Sequence, residues 1–189
     1  MSPRNVHYQH ELDDAIAAGE DIEITGEGLP LTALIKAGSP RILLMGCVAL
    51  LVVVLRDANP IIDIRGCRRA IIRAHERSRP MVIACDTSMP QVWAYDDSEP
   101  TLVARGNTRA KLMADGRARP RIEARDLSFP VISAEPSTSP TVASWNGAQV
   151  MLTFSGDGTA TAVAHDDSRI VITRLNKRAE VFTAQGATN

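Results

Sequence analysis

The sequence predicts an all-β protein wound as a parallel β-solenoid, and three observations carry that expectation. Nine of its eleven prolines fall at multiples of ten: Pro30, Pro40, Pro60, Pro80, Pro90, Pro100, Pro120, Pro130 and Pro140. In decads counted from Gly19, the fourth position is a large apolar residue in fifteen of seventeen. The eighth position is Gly, Asp or Asn in thirteen. The unit reads x-P-x-(V/I/L)-x-A-x-(D/G)-x-S, as in RPMVIACDTS and EPTLVARGNT, and self-similarity at a fixed short period is the signature of a repeat architecture.

Each column has a physical reading. Column four holds Ile42, Val52, Ile62, Val82, Val92, Leu102, Ile122 and Leu152. Column six is apolar early (Ile24, Leu34, Leu44, Val54, Ile64), then alanine seven times running from Ala74 to Ala134. Two apolar positions spaced by two mark a strand with one buried face. Gly, Asp and Asn at column eight tolerate left-handed backbone and so mark a corner. Proline follows where a strand opens and a ladder donor is least missed.

Ten residues cannot enclose a core, so a coil holds at least two units. Twenty residues per coil is preferred over a triangular thirty, because a run of alanines suits a thin cross-section. About eight and a half coils at about 4.8 Å give a rod of about 40 Å. Right-handed winding is the default for parallel crossovers. Residues 1–18 form an N-terminal segment and 19–188 the solenoid. Within the former, HELDDAIAA (His10 to Ala18) reads as a short capping helix with Leu12 and Ile16 on one face and Gly19 at its C′ position. Decads after Val150 lose proline, Arg174 replaces a small inward residue, and the tail is too short to cap. The last rung is then either frayed or covered by something else.

The stretch from Ala70 to Ser128 resembles the x-V-x-A-x-(D/G)-x-S arrays of β-solenoid proteins of actinobacteria and their phages. The resemblance implies a β-solenoid scaffold, allows a phage origin and carries over no catalytic residue. The calcium-binding GGxGxD nonapeptide is absent. The five-residue period of pentapeptide-repeat proteins does not fit, because column nine is polar.

A net charge of −1 gives no whole-chain field for nucleic acid or membrane. Eighteen Arg against three Lys fit a GC-rich genome. The longest apolar run, Ile42 to Leu55, is short of a membrane span. No secretory signal core precedes Glu11. Three cysteines without paired spacing argue against a disulfide framework or zinc site, and a reducing cytoplasm is expected. No cofactor or metal is expected, and no P-loop or nucleophile elbow occurs.

With twenty residues per coil, odd columns face out and residues twenty apart stack. Leu31, Ala33, Ile35, Leu51, Val53 and Leu55 then form an apolar face larger than soluble surfaces usually leave bare. It is covered by the N-terminal segment, by a second copy in a homo-oligomer, or by a protein partner. On the same side His75, Trp93, Tyr95, Asp115 and Glu135 form a polar ladder, suited to acid–base work on a polysaccharide or to a solvated surface. The opposite side carries a basic stripe, Arg65, Arg105 and Arg125, with Cys85, Trp145 and His165 in the same column. Corner residues Arg69, Arg109, Arg117 and Arg119 add charge, while Asp63, Glu123 and Asp126 interleave acids, which disfavours nucleic acid. Cys47 and Cys67, twenty apart, stand as a free thiol pair. Asp96-Asp97-Ser98 and Asp166-Asp167-Ser168 read as corners. The preferred function is a non-enzymatic, self-associating scaffold. A carbohydrate-active or carbohydrate-binding β-helix is the first alternative, and a nucleic-acid binder the second.

Overall fold

A computed structural model describes residues 2–25, 30–46, 49–155 and 159–175, and the backbone of 180–185. The chain alternates between two facing parallel sheets. The long sheet holds β1 (Arg4–Asn5), β2 (Ile22–Thr25), β4 (Arg41–Met45), β6 (Ile61–Arg65), β8 (Met81–Cys85), β10 (Thr101–Ala104), β12 (Arg121–Ala124), β14 (Thr141–Ser144), β16 (Thr159–Ala164) and β18 (Glu180–Gln185), in that order. The short sheet stacks β3 (Leu31–Ile35), β5 (Leu50–Val54), β7 (Ala70–Ala74), β9 (Gln91–Ala94), β11 (Lys111–Ala114), β13 (Val131–Ala134), β15 (Gln149–Phe154) and β17 (Arg169–Arg174). Thr101 pairs with Arg121 and Gln91 with Lys111. The regular coil is therefore twenty residues, with two strands and two corners; the registers are nineteen residues from β3 to β5 and twenty-one from β16 to β18, and the thirty-residue alternative is excluded.

Columns four and six point inward as expected. Ile62, Val82, Leu102, Ile122, Ala84, Ala94, Ala104 and Ala124 are fully buried in one continuous core. Burying an aliphatic side chain of column-four size contributes about 1.5–3 kcal/mol. The chain crosses the long sheet one way and the short sheet back, so column six of one sheet lies opposite column two of the other. Small alanine thus faces proline, and the large column-four side chains meet across the middle.

Corners follow the column-eight expectation. Arg56, Glu76, Asp86, Asp96, Gly106, Gly116, Asp126, Asn146 and Asp166 all have positive φ. Pro136 cannot adopt that conformation because its ring locks φ, and the left-handed residue moves to Ser137. The column-ten N–H then donates to the column-seven carbonyl, as Ser98 does to Tyr95 at 3.1 Å. One feature of the corner is additional to the expectation: column ten faces inward too. Ser78, Ser88, Ser98, Thr108, Ser128 and Thr138 are fully buried. The Thr108 and Thr138 hydroxyls donate to the carbonyls three residues back, at 2.6 and 2.8 Å, which satisfies a polar group that burial would otherwise penalise.

The N-terminal cap forms as expected. Helix α1 (Gln9–Ala18) ends at Gly19 with φ 68 and packs against β3. It takes the place of a short-sheet strand in the first coil, while β1 extends the long sheet by pairing with β2. Val6, Leu12 and Ala15 are fully buried, and Ile16 is partly so. Gln9 covers the open edge of β3: its Nε2 donates to the Thr32 carbonyl at 2.7 Å and its Oε1 accepts from the Thr32 N–H at 2.9 Å. Glu11 accepts from the His7 and Tyr8 N–H groups at 2.8 and 3.2 Å, and the His7 bond holds its carboxyl below the ordinary range. At the far end β17 and β18 complete a further rung, with inward Ile170 and Ile172 half-buried and Arg174 exposed.

One expectation fails, and register explains it. Leu31 pairs with Leu50, not Leu51, so that coil is nineteen residues long. Losing one residue reverses which alternate side chains face the core. Leu31, Ala33 and Ile35 are inward and buried, and Thr32 and Leu34 are exposed.

Candidate functional site

Four surfaces follow from this frame: the outer faces of the two sheets and the two corners between them. On the short sheet, the corrected register removes Leu31, Ala33 and Ile35 from the outward set and adds Leu34, which is 43% exposed. Leu34 sits beside Val53, and Leu51 beside Ile71. Leu51, Val53, Leu55 and Ile71 are each half-buried by their own neighbours on the flat face. Arg73 pairs with Trp93, and Trp93 with Met113, continuing the face along the rod.

The polar ladder abuts this apolar area. The His75 ring stacks on Tyr95 at 4.7 Å, and Tyr95 lies 6.2 Å from Trp93 with the two planes 13° apart. Along the same column Asp115 Oδ1 accepts from the Gly116 N–H at 2.6 Å, and Ser155 Oγ donates to Glu135 at 3.2 Å. Asp115 and Glu135 are exposed and engaged with immediate neighbours. The aromatic half of the ladder is a packed stack, and the acidic half is a solvated one.

On the long sheet the basic stripe is largely neutralised. Asp63, only 3% exposed, stands in the outward column between Arg41 and Arg65, with ion-pair distances of 3.4 and 2.9 Å. Hydrogen bonding to Asp63 raises the Arg65 pKa. Glu123 bridges Arg121 at 3.0 Å and Arg125 at 3.4 Å. Arg125 also lies 5.1 Å over the Trp145 ring, which stacks on His165 at 5.0 Å. Burial pushes the Cys85 thiol pKa up, so it stays protonated at neutral pH. Leu43, Ile61 and Ile83 surround this array half-buried, and Val103 is buried. The sequence columns did not single out this apolar setting of Asp63.

The corner arginines separate. Arg117 and Arg119 lie on the second corner, where the chain leaves the short sheet, and are ion-paired. Arg69 and Arg109 lie on the first corner, where it leaves the long sheet. The stacking of Cys47 on Cys67 falls on a residue outside the described set, and Cys67 itself is buried. Asp96 and Asp166 are left-handed corner residues. Among the described residues no group of three His, Cys, Asp or Glu is placed to hold a metal ion, and no helix is long and apolar enough to cross a membrane. The chain was compared with known proteins at three levels, and no family model, curated protein or solved structure matches it.

Proposed function

We propose that the protein is a non-enzymatic β-solenoid scaffold that self-associates through the outer face of its short sheet. The observation that carries this reading is the concentration of apolar and aromatic side chains on that face. Leu34, Leu51, Val53, Leu55 and Ile71 occupy three successive rungs, and Trp93 and Tyr95 lie on the next, with Arg73 between Val53 and Trp93. The area spans three coil steps, about 14 Å at the spacing of parallel strands, with Arg73 within it and Gln91 and Lys111 beside it. An aromatic and aliphatic centre inside a polar rim is the composition of an interface core. A flat face also meets its own two-fold copy without steric obstruction.

Sedimentation velocity at micromolar concentration tests it. The expected mass is a multiple of 20.4 kDa, and Val53→Asp with Leu55→Asp should weaken association about tenfold or more while circular dichroism stays unchanged. A 20.4 kDa monomer for the unaltered chain overturns the proposal.

The stacked His75, Tyr95 and Trp93 rings favour a second reading, a carbohydrate-binding face on which sugar rings stack. The two readings part at Val53, since sugar stacking depends on Trp93 and Tyr95 and not on an aliphatic residue two coils away.

A further inference from the structure

The two corners of the solenoid occupy equivalent columns and carry opposite arrangements of charge. On the second corner, ions pair along the stack. Arg77 meets Asp57 at 3.1 Å, Arg117 meets Asp97 at 2.8 Å, and Glu99 lies between Arg79 and Arg119 at 3.1 and 3.8 Å. The first corner holds a groove of about 830 Å³ on its short-sheet side. Three cations line it, Arg68, Arg109 and Lys111. All three are exposed, and none has a described acid within 4.0 Å. Gln91, Asn107 and Gln149 add neutral polar groups, and the rest of the wall is apolar. Leu127 is 74% exposed and Met89 44%, and Phe129 stands half-buried between them and the strand openings. The fold does not require large apolar residues here, because the stacked neighbour of Leu127 one coil back is Asn107 and that of Phe129 is Arg109.

We propose that this groove docks an extended, acidic peptide segment of a partner protein, with carboxylates on Arg68, Arg109 and Lys111 and apolar side chains on Leu127, Phe129 and Met89. From Met89 to Gln149 the groove crosses three coils, about 14 Å, the length of about four extended residues. Alternating side chains of such a segment reach both walls at once, and charge complementarity selects acidic over basic sequences. Nucleic acid would satisfy the cations but has no aliphatic groups to offer Leu127 and Met89. A membrane needs its apolar anchors on a convex tip, and here they line a concavity.

Fluorescence anisotropy on the full chain tests the proposal, using a labelled octapeptide Asp-Leu-Glu-Phe-Asp-Leu-Glu-Phe. Saturable binding that weakens with salt is expected. Arg109→Glu combined with Lys111→Glu, and separately Leu127→Ser, should each weaken it about tenfold. Arg117→Glu on the paired corner and Val53→Asp on the short-sheet face should leave it unchanged, which separates this site from the self-association surface. The proposal is overturned by absence of binding, by equal binding of the same peptide with Lys in place of its acids, or by indifference to the groove variants. It is also overturned if single-stranded DNA or phosphatidylserine vesicles bind in an Arg109-dependent way and the peptide does not.

Discussion

Ala104→Leu is expected to destabilise the solenoid by about 2–3 kcal/mol, the upper part of the range for overpacking a filled core. Ala104 is fully buried in β10 and lies just before the first corner, across from Ala110 where β11 opens. Its ladder neighbours are Ala84 and Ala124, both fully buried. Three further carbon atoms would have to fit among neighbours that are themselves buried, so either the sheets separate locally or a corner shifts. Each coil contacts only the coils beside it, so a defect in the middle divides the ladder into two weakly coupled halves. Urea unfolding followed by circular dichroism should show a lower midpoint and a broadened or two-step transition. Ile64→Leu provides the contrast. The early coils carry Leu44, Val54 and Ile64 in the same column, and a volume-conserving change there should cost less than about 1.5 kcal/mol.

Leu12→Ala should have an effect of similar size in a different place. Leu12 is fully buried beneath α1 and closes the core above β3. Removing it leaves a cavity costing about 2–5 kcal/mol. The loss falls on the element that keeps Gln9 over the Thr32 backbone, so it also frees a strand edge. Such an edge is a template for pairing with other chains. Hydrogen exchange should show protection lost in β2, β3 and β4 and kept from β9 to β13. Uniform loss along the rod would mean that the helix is not an end cap but part of a single cooperative core.

Much of the fold is legible in the sequence because the repeat restates the same constraints in every decad. Column four, the alanines of column six, the left-handed column eight and the Gly19 helix end each follow from side-chain size or backbone freedom. The error at residues 31–35 has an equally local cause. In LTALI both alternate sets contain apolar residues, so periodicity alone does not choose a face; only the coil length does. Thr32 was the available signal, since it is the one polar residue in an otherwise apolar column four. The inward serines and threonines of column ten were obscured by polarity: the Thr108 and Thr138 hydroxyls are satisfied by a carbonyl that only the turn brings near, while those of Ser78, Ser88, Ser98 and Ser128 are buried without a partner. The first-corner groove was hidden for another reason. Arg68, Met89, Arg109 and Leu127 lie in four different decads and three different columns, and only the stack collects them.

The proposed self-association face rests on which short-sheet side chains face out in the early coils, and site-directed pyrene labelling measures that directly. In a chain with Cys47, Cys67 and Cys85 replaced by alanine, pyrene maleimide on Leu34→Cys with Val53→Cys should give strong excimer emission in the folded state. These positions pair directly across nineteen residues on the outer face. Ile35→Cys with Leu55→Cys, twenty apart, should give none, because Ile35 is fully buried and inaccessible to the label. Excimer emission from the second pair and not the first would contradict the nineteen-residue coil and the outward face built on it.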